Sequence, residues 1–144
     1  MSKATQSNTL VGGFRVLAGE NLTDKEGLLV KMTHDTQVPE VVLPASVTDF
    51  AIYVLTEGGA DESLVTVDPL ESGKQVRLRL DGTCNPGDLL VPAEIDGTHD
   101  GMVEVLPADA GTYRGIAIAE EAGVDGQLVL CRPCMLGNVT VTED

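Results

Sequence analysis

Gln75-Val76-Arg77-Leu78-Arg79-Leu80 alternates polar and apolar without a break. Neighbouring side chains on an extended backbone point to opposite faces, so Val76, Leu78 and Leu80 share one face and Gln75, Arg77 and Arg79 the other. This is a strand with one buried side and one wet side. Asp81-Gly82 and Asn85-Pro86-Gly87 follow as turns, and on the other side the preceding strand ends at Asp68-Pro69.

The same rhythm continues in both directions. Toward the N-terminus, strands are expected at Leu28–Thr33, Glu40–Leu43, Phe50–Thr56 and Leu64–Val67. Phe50–Thr56 is apolar on both alternating faces, as in a central strand covered on each side. Toward the C-terminus, strands are expected at Asp88–Pro92, Met102–Leu106, Tyr113–Ala119 and Gln127–Arg132. Gly115, Ala117 and Ala119 put small residues on one face, which lets another layer come close. Turns recur roughly every 8–12 residues, the spacing of sandwiches and barrels. A single short helix has room only near Ala45–Asp49 or Pro107–Gly111. No internal repeat is visible.

The reading is therefore all-β: one domain, a β-sandwich or barrel-like body over residues 14–137. Residues 1–13 read as a flexible N-terminal arm, and 138–144 as a last strand or tail. The chain has 144 residues, enough for one domain with a sizeable core. Aromatic residues are only 3% and Trp is absent, so that core is built from Val, Leu, Ile, Ala and Met.

A net charge of −14 opposes nucleic acid and anionic membrane, since phosphate binding needs clustered cations. The first ten residues lack the apolar run of a signal peptide, and no segment is long and apolar enough for a transmembrane helix. Three cysteines, Cys84, Cys131 and Cys134, are an odd set for a secreted disulfide framework, so folding in a reducing cytoplasm is expected.

Motifs that could carry chemistry are incomplete. Cys131-Arg132-Pro133-Cys134 has redox or zinc spacing, but it stands close to the end of the chain and lacks a second closely spaced pair. His34-Asp35 and His99-Asp100 are neighbours in sequence, which in a strand places them on opposite faces. Asp24-Lys25-Glu26 and Asp96-Gly97-Thr98-His99-Asp100 match no full calcium loop and read as turns. Tyr113-Arg114-Gly115 resembles a motif of the trimeric β-barrel enzymes that hydrolyse dUTP. Their water-orienting Asp is Gly111 here, and their glycine-rich phosphate motif is absent. No enzymatic activity, cofactor or metal is expected. Arg77, Arg79, Arg114 and Arg132 lie in expected strands, and Arg is enriched at protein interfaces. Partner contact is assigned to Leu10, Val11, Phe14 and Arg15 at the arm and its root, and to Arg77, Arg79 and Arg114.

Three stretches carry a family resemblance: Asn85-Pro86-Gly87-Asp88-Leu89-Leu90-Val91, Tyr113-Arg114-Gly115-Ile116-Ala117-Ile118-Ala119-Glu120 and Gly126-Gln127-Leu128-Val129-Leu130. Over roughly the last half of the chain these resemble the bacteriophage capsid decoration, or cement, proteins. The resemblance implies a body on the exterior of the virion capsid, made in the host cytoplasm. It implies homotrimers and a major capsid protein partner whose subunits are bridged and stabilised. Two other classes compete: a non-viral β-sandwich module for small ligands or sugars, and a trimeric β-barrel hydrolase. The scarcity of aromatic residues for stacking disfavours sugar binding.

Overall fold

The computed structural model describes residues 13–34 and 38–143, and these form ten strands: β1 (Phe14–Ala18), β2 (Leu29–His34), β3 (Pro39–Val42), β4 (Tyr53–Glu57), β5 (Leu64–Pro69), β6 (Val76–Arg79), β7 (Leu89–Pro92), β8 (Val103–Val105), β9 (Gly111–Ala119) and β10 (Leu128–Val141). Among the described residues there is no helix. At Ala45–Asp49, one of the two places where the sequence leaves room for a short helix, the Asp49 carboxylate accepts the amides of Ala45 and Ser46 and closes a turn instead. At Pro107–Gly111 the chain bends straight into β9.

The first five strands close a barrel in the order β1-β3-β2-β4-β5, with β1 parallel to β3 and all other pairs antiparallel. The last five form a sheet ordered β6-β10-β9-β7-β8. Its two edges meet through one parallel bridge, Leu80 with Val103. Traced as a ring, that order is β6-β8-β7-β9-β10, the arrangement of the first barrel repeated strand for strand.

The registers repeat as well. Leu80–Val103 takes the place of Ala18–Val41, Cys131–Val76 that of Val67–Phe14, and Leu89–Ile118 that of Leu29–Val54. Hydrogen bonds outside the ladders recur at matching positions. Gly19 N donates to Val41 O as Asp81 N does to Val103 O, and Leu22 N donates to Gly59 O as Cys84 N does to Gly123 O. The chain is thus two copies of one barrel topology, against the expectation of no internal repeat. The reason is visible in the cores. Where the first barrel has Ala18 and Leu55, the second has Leu80 and Ala119. Large and small side chains have exchanged places. A close-packed interior constrains total volume more tightly than the residue at one position, so the repeat survives while its letters do not.

Each barrel has its own core. Val16, Val30, Val41, Leu55, Val65 and Val67 fill the first. Leu78, Leu80, Leu90, Val103, Ala117 and Val129 belong to the second. Leu29 and Val54 point out of the first barrel and join the core of the second. That is why β4 reads as apolar on both faces: Leu55 fills its own barrel and Val54 the junction. Strand β4 starts at Tyr53, three residues later than the sequence suggests, and Phe50 lies exposed ahead of it. Main-chain bonds also tie the barrels, with Arg79 N donating to Gly27 O at 2.9 Å and Leu29 N to Gly101 O at 2.8 Å. Residues 138–141 are the end of β10, which runs unbroken through Asn138 and pairs with β9 from Gly111 to Gly115. The body proposed over 14–137 holds both barrels, and of the arm proposed over 1–13 only Gly13 lies within the described residues.

Candidate partner-binding surfaces

Leu10 and Val11 lie outside the described residues. Phe14 roots the chain: it opens β1 opposite Val67 and meets Tyr53 edge to face, with ring centroids 5.8 Å apart. Arg15, the next residue, faces solvent opposite Thr66.

Arg77, Arg79, Arg114 and Arg132 face outward because their neighbours fill the core, and each has partners within the chain. On β6, Arg77 donates to Glu121 at 2.9 Å and to the Leu128 carbonyl at 3.0 Å. The Leu130 amide and Arg77 together hold the Glu121 carboxyl below its ordinary range. Arg79 spans the junction, donating to the Glu26 carbonyl in one barrel and the Gly126 carbonyl in the other. On β9, Arg114 donates to the Thr48 carbonyl at 3.1 Å, and its guanidinium sits 4.2 Å over the Phe50 ring. Arg132 pairs with Glu120 at 3.2 Å. These arginines fasten loops to strands, and Arg77 remains largely exposed with donors to spare.

An acidic cleft of about 450 Å³ lies on the second barrel, lined by Asp81, Glu94, Asp96, Glu104, Asp109 and His99, with Tyr113 at its side. His99 does not pair with Asp100. Its Nδ1 is 2.6 Å from Asp96 and its Nε2 is 3.9 Å from Asp81. The bond to His99 and the amides of His99 and Thr98 hold the Asp96 carboxyl down at about 2, and the Asp96 contact raises the imidazole. Partial burial, with Asp81 and Glu94 nearby, pushes Glu104 up. The Asp96–Asp100 stretch is the turn its sequence suggests and spends its oxygens on its own backbone: Asp96 accepts from Thr98 and His99, and Asp100 from Asp96 and Gly97.

Cys131 is fully buried, and burial pushes its thiol up to about 12. Cys84 is buried too, and burial raises it as well. Cys134, the other end of the Cys-x-x-Cys stretch, is half-buried. The buried thiols pack as small apolar residues, since desolvation disfavours the thiolate that both redox and metal chemistry need.

Sequence reading missed the apolar surface. Leu64 is 51% exposed and Leu136 56%, with Phe50, Val124 and Met135 also open to solvent. In sequence Leu64, Met135 and Leu136 sit among strand residues of ordinary appearance, and only burial separates them.

The chain belongs by its fold to the all-β proteins built of barrels, with arginine-fastened loops and an acidic composition. The fold has a solved counterpart, the head fiber gp8.5 N base of bacteriophage phi29, with a TM-score of 0.64 and 18% sequence identity. The likeness covers 92% of this chain and 98% of that one. No family model matches the chain, and no curated protein does either.

Proposed function

We propose that this protein is a non-enzymatic structural component of a phage head, bound to the exterior of the assembled capsid. One observation carries the reading: its fold runs almost end to end with the base of a phage head fiber. In the finer form of the proposal, the chain acts as a decoration protein. It bridges major capsid subunits as a homotrimer, with Arg15 and Arg77 among its contacts and with the segment before Phe14 reaching a neighbouring subunit.

The duplicated barrel supports this. A capsid presents the same surface many times, and a body that carries one topology twice offers related surfaces to it. Modest contacts on such a lattice add through effective concentration. Binding that favours the assembled shell stabilises it by linkage.

The test is to mix the purified protein with undecorated, expanded capsids. Co-sedimentation and a gain in the heat resistance of the shell are expected, and removal of residues 1–13 should weaken binding while the body still folds. Failure to co-sediment at saturating concentration rejects the proposal.

A further inference from the structure

The contact between the two barrels is directional. The outer face of β2 and β4, carrying Leu29 and Val54 with Gly27 at its rim, is the donor side. The side carrying Arg79 and Leu128 receives it. The Arg79 amide is bound by Gly27 O, and a Cβ added at Gly27 would collide with the Leu128 side chain. Donor and receiver are different parts of the barrel surface, so this is a heterologous, head-to-tail contact.

Because the topology repeats, each side has a counterpart on the other barrel. By strand register, the donor residues Leu29 and Val54 correspond to Leu89 and Ile118 in the second barrel. The receiver residues Arg79 and Leu128 correspond to Leu17 and Leu64 in the first. Among the described residues no second barrel packs on either counterpart. Leu29 is completely buried and Val54 nearly so, whereas Leu89 and Ile118 are only half-buried. Leu64 is 51% exposed. Leu136 leans with Leu89 over Gly115 and is itself 56% exposed, extending the apolar donor face. Leu64 and Leu136, two of the exposed apolar residues, thus lie on the two sides that the pseudo-repeat leaves unmatched.

We infer that these two sides meet each other: the Leu89/Ile118/Leu136 face of one copy docks on the Leu17/Leu64 face of a second copy, repeating between chains the contact that joins the barrels within one. A heterologous contact of this kind continues from copy to copy and closes into a ring when its rotation permits. The inference concerns the protein alone, so its test is separate from capsid binding.

Leu64→Asp disables the receiving side and Leu136→Asp the donating side, both at exposed positions. By light scattering coupled to size exclusion, the native chain is expected as a discrete species of more than two 15.1 kDa protomers. Each variant alone should run as a monomer that still melts in one cooperative transition. An equimolar mixture of the two should form a dimer and stop, because each retains one working side. Leu17→Asp paired with Leu89→Asp provides an independent second pair. A monomeric native chain at millimolar concentration, a mixture that stays monomeric, or a single variant that dimerises by itself would each overturn the inference.

Discussion

Leu29 and Leu89 occupy the same register position in the two barrels, and only one of them has a barrel on top of it. Truncating each to Ala measures what the junction contributes. Each substitution removes three carbons, a transfer loss of about 2.4 kcal/mol when burial is complete. Leu29 is fully buried between two packed bodies that cannot readily collapse, so a cavity contribution adds to the transfer loss and the total should be about 3–4 kcal/mol. Leu89 is mostly buried but at an open face, so it loses most of the transfer value, roughly 1.5–2 kcal/mol, with little cavity left behind. At about 2–4 °C per kcal/mol for a chain near this size, Leu29→Ala should lower Tm by about 6–16 °C and Leu89→Ala by about 3–8 °C. The assay is denaturant unfolding and calorimetry, with Leu64→Asp as the background so that contact between copies does not add to either value. Leu29→Ala should also keep a single transition, because Leu29 belongs to the core of the second barrel as well as to β2 of the first. Equal losses at the two positions, or two separate transitions in the parent chain, would refute the claim that Leu29 couples the first barrel to the core of the second.

Arg114→Ala removes the bond to the Thr48 carbonyl and the stacking over Phe50, and should cost about 1–2 kcal/mol in chemical denaturation, with Arg114→Lys recovering only part; no loss would mean that the 44–50 turn is held by other contacts. The His99 pair gives two pH limits of opposite sign. The imidazole is raised above 6.5, so its stabilising contact is complete below that value and is lost as pH rises through the folded-state pKa, whereas the Asp96 carboxyl is lowered from 3.8 to about 2, so its share is complete above 3.8 and is lost as pH falls toward 2. Stability measured against pH should therefore fall on both sides, and His99→Gln should abolish the decline on the alkaline side; a profile identical to that of the parent chain would remove His99 from the account. Alkylation at mildly alkaline pH should mark Cys134 first and Cys131 only on unfolding, because desolvation holds the Cys131 thiol near 12; mass spectrometry showing equal labelling of the two in the folded protein would contradict that burial.

Alternation was enough to read the all-β class and the approximate place of nearly every strand, because period-2 burial is a local property of an extended chain. Val76, Leu78 and Leu80 are buried and Arg77 is exposed, as Gln75–Leu80 alone implies. Turn chemistry was equally local: the Asp96–Asp100 turn uses its carboxylates on its own amides, which Asp and Gly at those positions foretell. Some of the candidate surface was legible too, since strand arginines must face away from an apolar core. Their partners were not, because Arg79 reaches Glu26 and Arg114 reaches Thr48 across long stretches of chain.

What remained for the tertiary structure was everything that depends on which strands meet. The duplication stayed hidden because packing constrains the sum of side-chain volumes rather than each residue, so Ala18 and Leu55 answer to Leu80 and Ala119. The two-sided burial of β4 came from a second barrel that no window of local sequence contains. The difference between Leu29, sealed in a junction, and Leu89, left half open, lies in a neighbour rather than in the residue. Periodicity determines which way a side chain faces; only the folded arrangement determines what it faces.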